Sequence, residues 1–258
     1  YKKPFVTFNT NLIGTMNILL AIKDIKKKCT AIFITSDKCY KNKEKKSGYK
    51  ENDEFGGDDI YSASKASAEI LINSFSKSFL IKNKNIRVGI GRAGNVIGGD
   101  DWSNDRIVPD CIRAWSRNKS VVIRSPYSTR PWQHVLEPLS GYLLLAEKLN
   151  VSPKLNYQAF NFGPKYDNTV LDLVKKMSEK WEKKQYKIIQ NKSFKEANLL
   201  KLNCNKALKL LNWKSTLNFE ETARFTIEYY KAIIKNNNKN NYYLMKKQIN
   251  DFQKRMII

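Results

Sequence analysis

The sequence predicts an α/β fold built on a largely parallel sheet, and three observations carry that expectation. Helical and strand patterns alternate along most of the chain. The run Thr30 to Thr35 is short, apolar throughout and closed by polar residues, which is how a buried parallel strand presents its carboxyl edge. The length, 258 residues, suits one large α/β domain or one domain plus a small lobe.

The elements follow in order. Thr10 to Lys26 reads as a helix with Leu12, Ile13, Met16, Leu19, Leu20 and Ile22 on its apolar side. After the Thr30–Thr35 strand, 41–59 is a polar loop with Gly48, Gly56 and Gly57. Tyr61 to Leu80 is helical and Ile86 to Ile90 a strand. Gly91 to Arg106, rich in Gly, Asp and Asn, reads as an ordered functional loop. Ile107 to Arg117 is a helix that tolerates Pro109 in its first turn. A strand at Val121–Arg124, a Leu-striped helix at Val135–Leu149 and a buried strand at Ala159–Phe162 come next. Helices at Thr169–Trp181, Cys204–Leu211 and Phe219–Ile234, with a strand near Lys187–Ile189, complete the pattern. From Lys235 the chain turns Asn/Lys-rich, a linker or frayed tail, with a weak helix expected over Tyr242–Ile258.

Composition removes several function classes. The four cysteines (Cys29, Cys39, Cys111, Cys204) form no C-x-x-C pair and suggest no disulfide framework. His134 is the single histidine, which argues against a Cys/His zinc site and against a His-based hydrolase triad. The net charge of +23 invites a nucleic-acid reading. Scarce Arg, dispersed Lys and an abundance of Asn and Ile count against it, and no nucleic-acid partner is expected. No apolar stretch approaches bilayer length and the first residues lack a signal-peptide core, so a cytoplasmic protein without a membrane partner is expected.

Two motifs carry chemistry. Tyr61-Ser62-Ala63-Ser64-Lys65 opens a helix, and a spacing of four puts both functional side chains on one face. A phenol, with a reference pKa of about 10, becomes a usable base beside an ammonium that favours the phenolate. Taken alone, a Tyr and a Lys four apart are more often solvated surface. Thr35-Ser36-Asp37-Lys38-Cys39-Tyr40 places a hydroxyl, a carboxyl and an amine at a strand's carboxyl edge, suited to proton transfer. Its bland reading is an ordinary strand exit; each motif gains weight from the other.

With these two, the strings Gly56-Gly57-Asp58-Asp59-Ile60, Arg92-Ala93-Gly94-Asn95-Val96-Ile97-Gly98-Gly99-Asp100-Asp101-Trp102 and Arg130-Pro131-Trp132-Gln133-His134-Val135-Leu136-Glu137-Pro138 make a resemblance plain. From residue 1 to about 234 the chain resembles the extended short-chain dehydrogenase/reductase family, and within it the CDP-glucose 4,6-dehydratases. Lys38 beside Asp37 points to the CDP-sugar branch, where dTDP-glucose dehydratases carry Asp-Glu. The resemblance implies a Rossmann-like doubly wound parallel sheet whose first βαβ units are missing. It also implies NAD as cofactor, CDP-glucose or a similar nucleotide sugar as partner, a homodimer, and a place in making deoxysugars for cell-surface polysaccharide. The expected domains are 1–95, the remaining cofactor domain with the catalytic residues; 96–234, mainly a substrate lobe with segments returning to the first; and 235–258, the tail.

Residue by residue, the resemblance implies that Tyr61 takes the proton of the sugar's 4-hydroxyl as NAD accepts hydride from carbon 4. Lys65 lowers the Tyr pKa and holds the nicotinamide ribose; Thr35 joins the cofactor site. Ser36 hydrogen-bonds the 4-oxygen and Asp37 protonates the departing 6-hydroxyl. Water leaves across carbons 5 and 6, and the hydride returns to carbon 6. Lys38 occupies the position of the carbon-5 base, acting as a base if burial depresses its pKa, or as an electrostatic stabiliser of the enolate. Asn95 positions substrate, Arg130 grips the diphosphate, and Arg106 and Arg124 are weaker candidates. His134 is as well explained by packing as by substrate contact.

Gly89-Ile90-Gly91-Arg92-Ala93-Gly94 matches G-x-G-x-x-G, but no helix follows it directly, so a phosphate cradle is not expected there. Without that cradle the chain by itself is expected to bind NAD weakly and to expose a strand edge. The alternatives are another nucleotide-sugar dehydratase or epimerase, or a non-catalytic binding protein on the same fold.

Overall fold

The computed structural model describes residues 3–182, 185–189, 199–236 and 241–256. Part of the expected Asn/Lys linker, residues 237–240, lies outside the described residues. Helix α1 (Pro4–Phe8) opens with proline in its first turn and runs through a π-helical turn, Asn9–Ile13, into α2 (Gly14–Lys23). Strand β1 is Cys29–Ile34, α3 is Ile60–Phe75, and β2 is Ile86–Ala93. Then come β3 (Val96–Ile97), α4 (Ile107–Trp115), β4 (Val121–Ile123), β5 (Thr129–Arg130) and β6 (Gln133–His134). Next are α5 (Leu136–Val151), β7 (Gln158–Phe162), β8 (Asn168–Thr169), α6 (Val170–Lys180) and β9 (Tyr186–Ile188). The described chain closes with α7 (Asn205–Leu211), α8 (Phe219–Asn236) and α9 (Asn241–Met256).

The chain divides into two compact units. The first comprises Tyr1–Gly94, Pro138–Phe162 and Lys201–Lys214; the second comprises Asn95–Glu137, Gly163–Leu200 and Ser215–Ile258.

In the first unit, β1, β2 and β7 form a parallel sheet in the order β1-β2-β7. Alternation along β2 assigns its faces. Ile86, Val88 and Ile90 are fully buried with Leu19 and Ile22 of α2, Ile72 and Phe75 of α3, and Leu80. Each such side chain contributes about 1.5–3 kcal/mol on burial. The opposite face carries glycine at its middle two positions, Gly89 and Gly91. A Cβ on Gly89 would lie 2.7 Å from Leu149 of α5, and one on Gly91 would collide with the ring of Tyr142. The glycines of the G-x-G-x-x-G match therefore serve close sheet–helix packing. Among the described residues β1 pairs only with β2, so its outer edge is open; its burial is partial and Ile34 is exposed.

Two expectations change here. The second strand continues through Gly91, Arg92 and Ala93, which sequence reading placed in a loop, because β7 pairs with it as far as Ala93↔Phe162. The run Pro4–Lys23 is one continuous 20-residue helix with an 18-residue window of mean hydropathy 1.4, long and apolar enough by length and composition to cross a membrane. Reading the helix from Thr10 onward hid this. Pro4 starts it six residues earlier, Lys23 is its single charged residue, and the Thr and Asn residues inside it do not interrupt it.

The second unit packs α4, α6 and α8 around a core containing Trp115, Met177, Trp181, Ile227 and Tyr230. Helix α6 starts at a capping box between Thr169 and Asp172. Helix α9 belongs to this unit. Phe252 is buried with Leu217 and Phe225, and Gln248 Nε2 donates to the Phe225 carbonyl at 2.8 Å. Residues Asn241–Met256 thus form the helix expected from Tyr242 onward, and it is docked on this unit.

Candidate active site

The polar residues that end β1 form a tight turn. Ser36 has an extended backbone and caps the 3₁₀ turn Asp37–Cys39, its Oγ accepting from Lys38 N at 3.3 Å. The same hydroxyl donates to Asp37 Oδ1 at 2.9 Å. Asp37 is 1% exposed. It lies so close to Gly94 that a Cβ there would overlap its carboxyl group. Lys38 is exposed, so the burial that its base reading calls for is absent.

Helix α3 packs against this turn. Its first turn is held by Asp59, whose Oδ1 accepts from Tyr61 N at 2.9 Å and Ser62 N at 3.0 Å, while Ser62 Oγ donates to Oδ2 at 2.7 Å. Gly57 leaves room for the helix start; a Cβ there would meet Ala63 N at 2.6 Å. A second anchor comes from the π-helical turn. Asn11 Nδ2 donates to Ser64 Oγ at 2.9 Å, and Ser64 Oγ donates to the Tyr61 carbonyl at 2.7 Å. Lys65 Nζ lies 5.9 Å from the Tyr61 ring centroid. Burial lowers the Lys65 pKa, and the Glu69 carboxylate one turn on opposes that shift. A cavity of about 410 Å³ opens beside β1, with Thr10, Asn11, Thr15, Thr35 and Lys65 as its polar lining and Ile32 and Phe33 among its apolar walls.

Behind the turn lies a buried polar network that sequence reading missed. Arg92 Nε and Nη2 donate to Glu69 Oε1 and Oε2 at 2.7 and 3.1 Å. Both side chains are buried, at 2% and 0% exposure. Thr35 Oγ1 donates to Glu69 Oε1 at 2.5 Å, so its proton is committed and only its lone pairs remain to meet a ligand. Arg92 Nη1 donates to Tyr40 Oη at 2.7 Å and to the Glu51 carbonyl at 2.9 Å. Tyr40 Oη in turn donates to Asn161 Oδ1 at 2.7 Å. Against the pull of burial, Glu69 holds Arg92 firmly in its charged form, while burial raises the Tyr40 phenol and the Cys39 thiol. Two signals were available in the sequence. Glu69 is a charged residue in the otherwise apolar stripe of α3, and Arg92 continues the Ile86, Val88, Ile90 face of β2.

The remaining predicted residues belong to the second unit. Asn95 has a left-handed backbone (φ 49°), and its carbonyl accepts from Gln133 N at 3.3 Å. Arg130 is half-buried on β5, its Nη1 donating to the Thr129 carbonyl at 2.9 Å. Arg106 and Arg124 are exposed and pair with Asp101 at 2.9 Å and Asp105 at 3.2 Å, contacts that exchange readily. His134 is buried against Phe225, its Nδ1 accepting from Leu136 N at 3.4 Å, and burial lowers its pKa to about 4. Among the described residues no His/Cys/Asp/Glu group is arranged to hold a metal.

A family model described as GDP-mannose 4,6 dehydratase matches residues 1–226. The chain belongs to this family. Within it, the chain is 40% identical over 242 residues to the CDP-glucose 4,6-dehydratase of Salmonella typhimurium, covering 91% of this chain and 67% of that protein. It thus spans about two thirds of that relative's length. It is 23% identical over 227 residues to the UDP-glucose 4-epimerase of Mycoplasma pneumoniae, covering 83% and 67%. Among solved structures, the dTDP-glucose 4,6-dehydratase of Bacillus anthracis, in complex with NAD, superposes with a TM-score of 0.77 at 19% identity, over 93% of this chain and 71% of that one. At that identity the match speaks for the fold alone: an α/β chain with a parallel, Rossmann-like sheet. In this dehydratase-family chain the polar groups around the cavity, the Lys65 ammonium, the Asn11 amide and threonine hydroxyl oxygens beside apolar walls, fit the ribose and carboxamide end of a nicotinamide nucleotide.

Proposed function

We propose that the protein is an NAD-dependent nucleotide-sugar 4,6-dehydratase acting on CDP-glucose to give CDP-4-keto-6-deoxyglucose. One observation carries the reading: the Ser36–Asp37 turn packs against the helix bearing Tyr61 and Lys65, and Thr35 and Glu69 bond the two together. The 40% identity to the Salmonella CDP-glucose 4,6-dehydratase supports the choice of sugar nucleotide.

In this reading Tyr61 removes the 4-hydroxyl proton. The Lys65 ammonium and the positive end of α3 favour its phenolate. Lys65 and the acceptor oxygen of Thr35 hold the nicotinamide ribose. NAD, when bound, supplies the hydride acceptor for carbon 4 and the donor for carbon 6. When substrate binds, Ser36 turns its one proton from Asp37 to the 4-oxygen, and a ketone there acidifies the proton on carbon 5. Asp37, buried and already bonded to Ser36, delivers a proton to the departing 6-hydroxyl. The carbon-5 proton passes to solvent water beside exposed Lys38, whose ammonium stabilises the enolate electrostatically. Asn95 positions the sugar, Arg130 grips the diphosphate, and Arg106 and Arg124 exchange their carboxylate partners for phosphate.

The homodimer draws support from the apolar residues Phe5, Val6 and Ile70, exposed on α1 and α3, and the same apolar surface leads us to read Pro4–Lys23 as a partner-facing helix in a cytoplasmic enzyme of deoxysugar synthesis. The test is a panel of CDP-, UDP-, dTDP- and GDP-linked hexoses offered with NAD to the full chain as its gene encodes it, with products weighed by mass spectrometry. CDP-glucose is expected to lose one water most efficiently. A product of unchanged mass with inverted carbon 4 would make the enzyme an epimerase, and turnover of another nucleotide would reassign the substrate.

A further inference from the structure

The buried Arg92–Glu69 pair has a location that stability alone does not explain. Its side chains lie on the face between α3 and β2 that is otherwise made of Ile72, Phe75, Ile86, Val88 and Ile90. Continuing that face with apolar residues would be equally stable or more so, since desolvating two charges costs as much as their attraction returns. The polar break falls at the carboxyl end of β2, level with the Thr35–Asp37 turn, and the pair is fully engaged there. One carboxylate oxygen of Glu69 receives Arg92 Nε at 2.7 Å and Thr35 Oγ1 at 2.5 Å, and the other receives Arg92 Nη2 at 3.1 Å. The guanidinium is clamped in turn. It lies 5.0 Å from the Tyr40 ring centroid and 5.1 Å from that of Phe55, and bonds the Tyr40 hydroxyl and the Glu51 carbonyl.

We propose that Glu69 is the positioning residue of this active site: through Thr35 it fixes the Ser36–Asp37 turn against α3, and through its charge it supports the ammonium of Lys65 one helical turn before it. The first role follows from geometry, because Thr35 immediately precedes Ser36 and its hydroxyl is tied to the helix that carries Tyr61 and Lys65. The second follows from spacing, because residues four apart on a helix face one another. Burial draws the Lys65 pKa down and Glu69 acts against it. The other ionisable groups near Lys65 are Tyr61 on its own helix, Asp37, exposed Lys38 and Cys39 on the packed turn, and Arg92, which is spent on Glu69. The residues of α2 and the π-helical turn that line the same cavity, Thr10, Asn11, Gly14, Thr15 and Ile18, carry no charge.

The kinetic arm of the test rests on the dehydratase reading; the chemical arm does not. In the full chain, Glu69→Gln keeps the shape of the side chain and removes its charge. The pH dependence of Lys65 acylation, followed by peptide mass spectrometry without substrate, is expected to move to lower pH in Glu69→Gln and to stay in place in Thr35→Val. An unmoved Lys65 profile in a folded Glu69→Gln variant would overturn the electrostatic role, whether or not the enzyme turns over CDP-glucose. Kinetically, Glu69→Gln is expected to lower kcat by about 10²-fold, the cost of a misplaced turn, with little change in KM and with the acidic limb of the pH profile raised. Thr35→Val is expected to share the kcat loss without the pH shift, and the double variant to be no worse than Glu69→Gln. Independent, additive losses would overturn action through Thr35. If Glu69→Gln does not fold, Glu69→Asp, which keeps the charge and shortens the reach, is expected to retain the Lys65 profile and lose kcat. Retention of full kcat would overturn the positioning role.

Discussion

Gly94 sits directly against the carboxyl group of Asp37, so close that any side chain at 94 would occupy the space of the Asp37 oxygens. The carboxyl is buried at 1% exposure and bonded to Ser36, so it has nowhere to retreat without leaving its partner. Gly94→Ala is therefore expected to displace Asp37 and lower kcat by about 10²-fold while the chain stays folded. Steady-state kinetics beside a thermal melt checks this; unchanged kcat would mean that the placement of Asp37 is not critical.

Tyr61 is held by three independent devices: the Asp59 cap, the Ser64 bond to its carbonyl, and the packing of α3 on the Asp37–Cys39 turn. Tyr61→Phe removes the hydroxyl alone. A loss of about 10²–10⁴ in kcat/KM is expected for a general base, with the melting temperature little changed. Measured kcat/KM within a factor of a few of the parent would take Tyr61 out of the chemistry.

Tyr40 joins Arg92 to Asn161 through one hydroxyl that accepts from the first and donates to the second. Tyr40→Phe leaves a guanidinium N–H and an amide oxygen buried without a partner. The expected cost is about 1–3 kcal/mol in denaturant unfolding. Asn161 remains anchored to the Tyr49 and Asn203 carbonyls, so local rearrangement does not recover the loss.

The second unit carries two buried groups with opposite pH dependence. Burial raises the Glu137 carboxyl from 4.5 to about 7 despite the amides of Thr216 and Leu217 that it accepts. Its contribution is complete below about pH 4.5 and is lost as pH rises through about 7. His134 behaves in reverse: burial lowers it from 6.5 to about 4, so its contribution is present above pH 6.5 and lost as pH falls through about 4. Glu137→Gln is expected to leave a melting temperature that rises from pH 4 to 6.5 and then stays level. A fall between pH 5 and 7 that persists in this variant would contradict the assignment to Glu137.

The fold was legible where one pattern dominated. The Leu stripe of α5, the apolar strands and the Tyr61 helix fall within a few residues of their expected places. The carboxyl end of β2 was not legible, because Gly91-Arg92-Ala93-Gly94 has loop composition. Pairing with β7 and with the end of β1, α5 packing and the Glu69 partner, all distant in sequence, make it a strand. Of the site, sequence spacing pointed to Tyr61, Lys65, Ser36 and Asp37, each near an element's end. Glu69 and Arg92 escaped because their role depends on a contact 23 residues apart in the chain. Helix α9 was expected as a weak helix, but its docking escaped because its Lys- and Asn-rich composition concealed the two residues that carry it, Gln248 and Phe252.

The central claim is that the Ser36–Asp37 turn and the Tyr61–Lys65 helix together remove water across carbons 5 and 6 of a nucleotide sugar. The most direct measurement is turnover of CDP-glucose by the full chain with NAD in deuterated water, the product read by mass spectrometry and by proton NMR at carbon 5. A product that has lost one water and carries solvent deuterium at carbon 5 is predicted. A product that keeps its water and its original carbon-5 hydrogen would contradict the account.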